Sequence, residues 1–178
     1  MDESQAWLHQ ASSDQQAGER ERQAFNQGGI PTLCHAVAKY QQTVEKAIKA
    51  VVSALREAGF TNWRVGRPHE VTRYMSMLVH LPSKESNKSV LQELRRLLDG
   101  NTRRGIKTLE TLAPKWPARI QIPLRNTEYP FEDGKGGWSY PAAAGVFLGP
   151  EVEEFRRLAR RVQWGVDRIV KAIRRVRK

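Results

Sequence analysis

The arginines near the C-terminus are the side chains of this sequence best suited to bind a ligand by charge. Ten lysines and arginines lie between residues 156 and 178, against only Glu154 and Asp167 in the span 154–178. Arginine suits phosphate because its planar fork can bond two oxygens at once. Six arginines lie off the apolar stripe of this segment and are predicted to contact a phosphate backbone: Arg156, Arg160, Arg161, Arg168, Arg174 and Arg175.

Two other interpretations of this basic segment stay open. The cations could form a solvated helix face whose long side chains cover apolar surface. The segment could also lie on a membrane surface, but its apolar stripe is typical of a helix in a bundle, and we expect no membrane partner. The whole chain favours a polyanionic partner, because its 178 residues carry a net charge of +11 and a sequence pI near 10.2.

Other kinds of chemistry have little support in the composition. Cys34 is the only cysteine, which excludes an internal disulfide and a cysteine-based zinc site. No nucleophile triad and no cluster of metal-ligating side chains stands out, so neither a metal nor a cofactor is expected. No apolar run approaches the roughly 18–20 residues that span a bilayer, and the acidic start of residues 1–5 is unlike a secretory signal. These features predict a cytoplasmic protein.

Apolar residues at spacings of three and four predict the helices that would carry these side chains. The pattern places helices near 4–26, 32–58, 69–81, 86–98 and 150–176, with a short additional helix through Ile106, Leu109 and Leu112. Residues 113–150 contain six prolines and five glycines together with six aromatic residues, which predicts an ordered, packed loop. The expected fold is all-α: a single domain over 1–178, built as an antiparallel bundle of about five helices with this long loop before the last one.

Several short runs in these helices are similar to those of a known family. The clearest is the run from Tyr40 to Ala50, Tyr-Gln-Gln-Thr-Val-Glu-Lys-Ala-Ile-Lys-Ala, in the second helix. Weaker matches are Trp7-Leu8 followed by Ala11 and Asp14, the run 68–71, and Tyr129-Pro130 before the last helix. Together they make the chain resemble the HEPN family of helical domains over about residues 5–175.

The resemblance implies a helical bundle that usually forms dimers. Many HEPN proteins are metal-independent ribonucleases of toxin–antitoxin or antiviral systems, whereas others bind nucleotides or act as non-catalytic partners of nucleotidyltransferase-like proteins. Active members carry an arginine, four to six residues and then a histidine late in the bundle. Histidine can move a proton near neutral pH, and arginine can stabilise charge on a phosphate in the transition state.

The chain departs from that pattern, since its four histidines are His9, His35, His69 and His80 and none lies later. Two earlier pairs have the family spacing, Arg64 with His69 and Arg73 with His80, and these are the candidate catalytic residues. Chance alone accounts for such spacings in an arginine-rich chain. Local hydrogen bonding at a helix start would explain His69 equally, and a solvated helix face would explain Arg73 and His80.

The charges of the second helix also have two interpretations. Glu45 and Lys46 could be interface charges of the family type, or ordinary surface residues, since Glu45 and Lys49 form a simple i,i+4 pair. With the late histidine missing, we expect an RNA- or nucleotide-binding HEPN-like protein of a prokaryotic defence or toxin–antitoxin system, acting without catalysis. It would form a homodimer or a complex with a partner protein. The alternative is a metal-independent ribonuclease with an Arg/His pair at a dimer cleft.

Overall fold

Six α-helices make up most of the part of the chain that the structure describes. The computed structural model describes residues 1–27, 33–66, 71–112, 131–132, 138–139, 147 and 149–176. The helices are α1 (Glu3–Asn26), α2 (Leu33–Glu57), α3 (Val71–Val79), α4 (Lys88–Leu97), α5 (Gly100–Thr111) and α6 (Gly149–Val176). A 3₁₀ turn at Glu85–Asn87 precedes α4. The prediction of an all-α fold is confirmed.

Helix α2 forms the centre of the core, as its wide apolar stripe predicts. Nearly every residue from Leu33 to Leu55 is buried, and α1, α3, α5 and α6 all contact it. The helix ends at Glu57, and Gly59 adopts the left-handed conformation with φ of 75°. The amide of Phe60 then donates to the carbonyl of Leu55 at 2.9 Å, which closes the C-terminal cap expected of this glycine.

Cross-helix contacts show the directions of the longest helices. Glu3 of α1 contacts Arg56 of α2, and the α1 carboxylate of Asp14 lies 3.4 Å from Lys39, so α1 and α2 run antiparallel. Helix α6 is also antiparallel to α1, because Arg156 pairs with Glu19 and Arg174 with Asp2. Helices α2 and α6 therefore run in the same direction, and each is antiparallel to α1.

Helix boundaries differ from the sequence expectation in the middle of the chain. The third helix covers Val71–Val79, and residues 67–70, where its start was expected, lie outside the described residues. Gly100 was expected to break the helical pattern, but it begins α5, because the Asp99 carboxylate caps the helix by accepting from the Thr102 amide at 2.7 Å. The additional helix is therefore complete, from Gly100 to Thr111.

Most of the segment expected to be an ordered loop, including Trp116, Tyr129 and Tyr140, lies outside the described residues. Within it, the two-residue strands β1 (Phe131–Glu132) and β2 (Trp138–Ser139) pair antiparallel. Phe147 is buried in the helical core just before α6.

Three glycines allow helices to approach each other closely. A Cβ at Gly18 of α1 would lie 2.7 Å from the ring of Tyr40, one at Gly105 of α5 would lie 2.9 Å from Leu158, and one at Gly165 of α6 would lie 2.6 Å from Leu97. Helix α1 continues through Gly18 without a break and buries this residue against α2. Among the described residues, no helix combines the length and apolar character needed to cross a membrane.

Candidate nucleic-acid interface

The arginines of α6 point toward neighbouring helices as well as solvent, and five of the six predicted phosphate ligands form ion pairs. Arg156 and Arg160 reach Glu19 of α1, at 2.9 and 3.3 Å. The other three pairs join Arg161 to Asp99 at 2.6 Å, Arg168 to Glu93 at 2.7 Å, and Arg174 to Asp2 at 3.1 Å.

This pairing changes the charge balance expected from the last helix alone. A surplus of eight cations would surround α6 with a strong positive field if only the acids of the same segment faced it. The structure supplies further carboxylates from α1, from α4 and from the residue that caps α5. Only Arg175 among the six predicted ligands forms no ion pair within the described part of the chain. An arginine in an ion pair still has N–H donors left for phosphate, because its guanidinium carries five.

Asp99 shows how closely the pairs are tied to the fold. Its pKa lies at about 2, below its ordinary value, because the Thr102 amide and then Arg161 stabilise the carboxylate. A carboxylate with a lowered folded pKa stabilises the protein above its unfolded pKa, near 4. This contribution is lost as the pH falls toward 2.

Trp164 is the ligand-binding candidate that the sequence analysis missed. Its side chain is 67% exposed, an unusual position for the largest apolar side chain on a helix whose stripe is otherwise buried. The Arg168 guanidinium lies 5.3 Å from the ring centroid, within cation–π distance. The signal in the sequence was a tryptophan off the apolar stripe, four residues from an arginine on either side.

A groove of about 750 Å³ lies between α1 and α6 beside Trp164. Arg160 and Arg174 line it toward its two ends, about 21 Å apart along the helix axis at 1.5 Å per residue. Such a volume is that of a typical small-molecule site. An aromatic platform between two arginines is the combination that proteins use to bind single-stranded nucleic acid.

A second group of cations lies on α4 and α5, outside the predicted set. Its members are exposed and form no ion pair within the described residues: Arg95, Arg103, Arg104 and Lys107. Arg95 and Arg103 line a pocket of about 300 Å³ between α3, α4 and α5, together with Asp99 and several leucines. Counting charges along the sequence does not reveal this group, because each of its helices carries few cations whereas the last helix carries many.

The predicted catalytic residues have a less distinctive setting. Arg64, Arg73 and His80 are all exposed, and His69 lies outside the described residues. The Nδ1 atom of His80 is 2.8 Å from the carbonyl oxygen of Ser76, one turn earlier, which is a local contact at the end of α3. Within the described residues, no group of three or more histidines, cysteines or acids could hold a metal ion.

Glu45 and Lys49 of the second-helix run are buried and Lys46 is half-buried, which corrects the interpretation of Glu45 and Lys46 as ordinary surface residues. The side chains of Glu45 and Lys49 are 7% and 4% exposed, and Lys49 Nζ lies 2.6 Å from Glu45 Oε1 and 5.0 Å from the centroid of the Trp7 ring. Beside them, buried Asp14 of α1 contacts Lys46 and Lys39. The run is buried because α2 is central, so its polar face is covered by α1.

Comparison of the chain with models of protein families, with characterised proteins and with solved structures finds no match at a significant level. The resemblance to the HEPN family therefore rests on the sequence runs described above.

Proposed function

We propose that this chain is an RNA-binding domain of the HEPN-like type that binds single strands at the α1/α6 surface and acts without catalysis. The observation that carries the proposal is the exposure of Trp164 between the arginines of α6. Base stacking on an exposed aromatic ring needs no particular sequence, and arginines beside the ring can contact the phosphates. The ion pairs described above hold these arginines in place before RNA arrives.

The proposal extends to the biological setting that the resemblance implies. The protein would act in the cytoplasm as a binding module of a prokaryotic defence or toxin–antitoxin system. Nucleotides are the smaller ligands of the same surface, since one base and one phosphate suffice to use Trp164 and an arginine.

Removing four charges from α6 is expected to weaken RNA binding and flatten its salt dependence. The variant replaces Arg160, Arg168, Arg174 and Arg175 with glutamine. Glutamine is preferable to glutamate, which would face Glu19, Glu93 and Asp2 and destabilise the domain by like-charge repulsion. For every phosphate that the variant no longer binds, the slope of log affinity against log salt should fall by about 0.7 for a single strand. Fluorescence anisotropy of a labelled single-stranded RNA at several salt concentrations measures this change.

The cations of α4 and α5 provide a matched control. Replacing Arg95, Arg103, Arg104 and Lys107 with glutamine removes the same number of charges from the other face and should leave most of the affinity. Equal affinities of wild type and the α6 variant, or binding insensitive to salt, would contradict the proposal. RNA recovered shortened after incubation in EDTA would instead favour the ribonuclease alternative.

We also propose that the chain forms a homodimer, or binds a partner protein through the same faces. The support is the resemblance together with the apolar side chain of Val79, which is 42% exposed at the pocket between α3, α4 and α5. Sedimentation velocity at tens of micromolar should show a dimer. A clean monomer that co-purifies with no other protein would argue against this assembly.

A further inference from the structure

The groove between α1 and α6 has a polar lining that phosphate binding alone does not require. Its α1 wall consists of residues that share one helix face, and its α6 wall adds an amide beside Trp164. The lining residues that can exchange hydrogen bonds with a ligand are Gln5, His9, Ser12, Gln15 and Gln163. An amide presents both a donor and an acceptor, which is the pattern of a nucleobase edge and not of a phosphate, which accepts only.

The charges that line the groove differ between its centre and its ends, and the two regions suit different parts of an RNA strand. Arg160 and Arg174 lie toward its ends, while Asp167 lines it between them, with Lys171 at 2.5 Å. A carboxylate repels phosphate but accepts hydrogen bonds from base amino groups. The centre, where Trp164 and Asp167 lie, therefore suits bases, and the arginines suit the flanking phosphates.

Gln15, on the α1 wall of the groove, provides an independent observation. It is only 7% exposed, and its Nε2 donates to Glu19 Oε1 at 3.0 Å. Its carbonyl oxygen is buried with no hydrogen-bond partner in the described structure. A buried acceptor without a donor is unfavourable and uncommon in native proteins. An N–H group of a base in the groove would satisfy it after a small movement of the side chain.

We infer that this groove is a base-binding site for a segment of single-stranded RNA, with a base stacked on Trp164 and the edges of bases bonded to the glutamines. The inference rests on the proposed RNA binding and adds to it that the polar lining of the groove beside Trp164 forms hydrogen bonds with the edges of the bases. The site would therefore distinguish a base-bearing strand from a polyanion of equal charge.

The test compares two labelled octamers of equal charge, a single-stranded RNA and the same sugar–phosphate chain without bases. We expect Trp164→Ala to weaken binding of the RNA octamer by about tenfold or more, the usual loss when a stacking residue is removed. Gln15→Leu should also weaken it. Both variants should bind the abasic octamer as wild type does. The control is Gln16→Leu, which alters an exposed glutamine that does not line the groove and should change neither affinity.

The outcomes separate this inference from the proposed function. If wild type binds both octamers equally, and Trp164→Ala leaves both affinities unchanged, the groove does not bind bases, and the RNA binding that remains is phosphate contact by the α6 arginines. If neither octamer binds at any salt concentration, the proposed function itself fails. Because Trp164 is exposed, its replacement should not change the thermal unfolding midpoint, so a loss of affinity in that variant reports on the site and not on folding.

Discussion

Replacing Lys49 with methionine is expected to lower the free energy of unfolding by about 3–5 kcal/mol, the usual effect of removing one partner of a buried ion pair. Lys49 and Glu45 lie one helical turn apart on α2 with their side chains almost fully buried, 2.6 Å from each other. Methionine fills a similar volume, so little packing is lost. The variant instead leaves the Glu45 carboxylate in the core without the lysine, and chemical denaturation measures the difference.

Two matched variants distinguish the effect of losing the ion pair from the effect of changing the side-chain volume. The double replacement Glu45→Leu with Lys49→Met removes both charges and should restore most of the stability, because a well-packed apolar pair is often as stable as a buried ionic one. Lys171→Met breaks an exposed pair of the same spacing, Asp167 with Lys171, and should cost no more than about 0.5 kcal/mol. Similar losses for Lys49→Met and Lys171→Met would show that the pair on α2 is not buried in solution.

The buried ion pair also suggests why the second-helix run contains charged and amide side chains. Covering α2 with α1 buries its polar face, and each charge there must have a partner: Glu45 for Lys49, Asp14 for Lys46. Gln41 follows the same rule, since its side-chain amide donates to the Leu109 carbonyl of α5 at 2.8 Å. Such contacts favour one register of α1 and α5 against α2, because a shifted helix would leave a buried polar group unsatisfied.

Helix positions could be predicted from this sequence because they depend on local pattern. The stripe from Leu33 to Leu55 and that from Phe155 to Ile173 each repeat at three-four spacing over several turns, and both are buried as expected. Local pattern failed where a partner from a distant segment decides the outcome. The covering helix makes Glu45 and Lys49 core residues although their types suggested the surface. The start of α5 at Gly100 is a different case, because it depends on the adjacent Asp99, a local capping signal that outweighs the glycine.

The candidate site was harder to predict than the fold for the same reason. Counting charges along α6 identified its arginines but could not show that Glu19, Glu93 and Asp99 would face them. The groove depends on two helices from opposite ends of the chain, so neither wall indicates it alone. Trp164 could have been found from the sequence, because it interrupts the arginine-rich face without belonging to the apolar stripe.

Replacing Gly18 with alanine is expected to destabilise the protein by about 1–3 kcal/mol, the usual effect of overpacking a core. This change in stability is opposite to the usual one, because replacing glycine with alanine inside a helix normally stabilises the helix by up to about 1 kcal/mol. Here the new Cβ would lie 2.7 Å from Cε1 of Tyr40 and 3.3 Å from the carbonyl oxygen of Ala36. The first contact requires the ring or α1 to move, and the second requires a further shift of a few tenths of an ångström between α1 and α2.

The ring of Tyr40 has little freedom to relieve that contact. It is fully buried, and burial raises the pKa of its hydroxyl to about 12, with Glu19 adding to the shift. A displaced α1 would also strain the pairs of Glu19 with Arg156 and Arg160, so the destabilisation would extend to the wall of the groove. Gly100→Ala is the control, because its Cβ would have only the Arg104 side chain nearby, at 3.8 Å. The midpoint of thermal unfolding should fall for Gly18→Ala, whereas for Gly100→Ala it should rise or stay unchanged. A Gly18→Ala protein as stable as wild type would mean that α1 and α2 are not in such close contact.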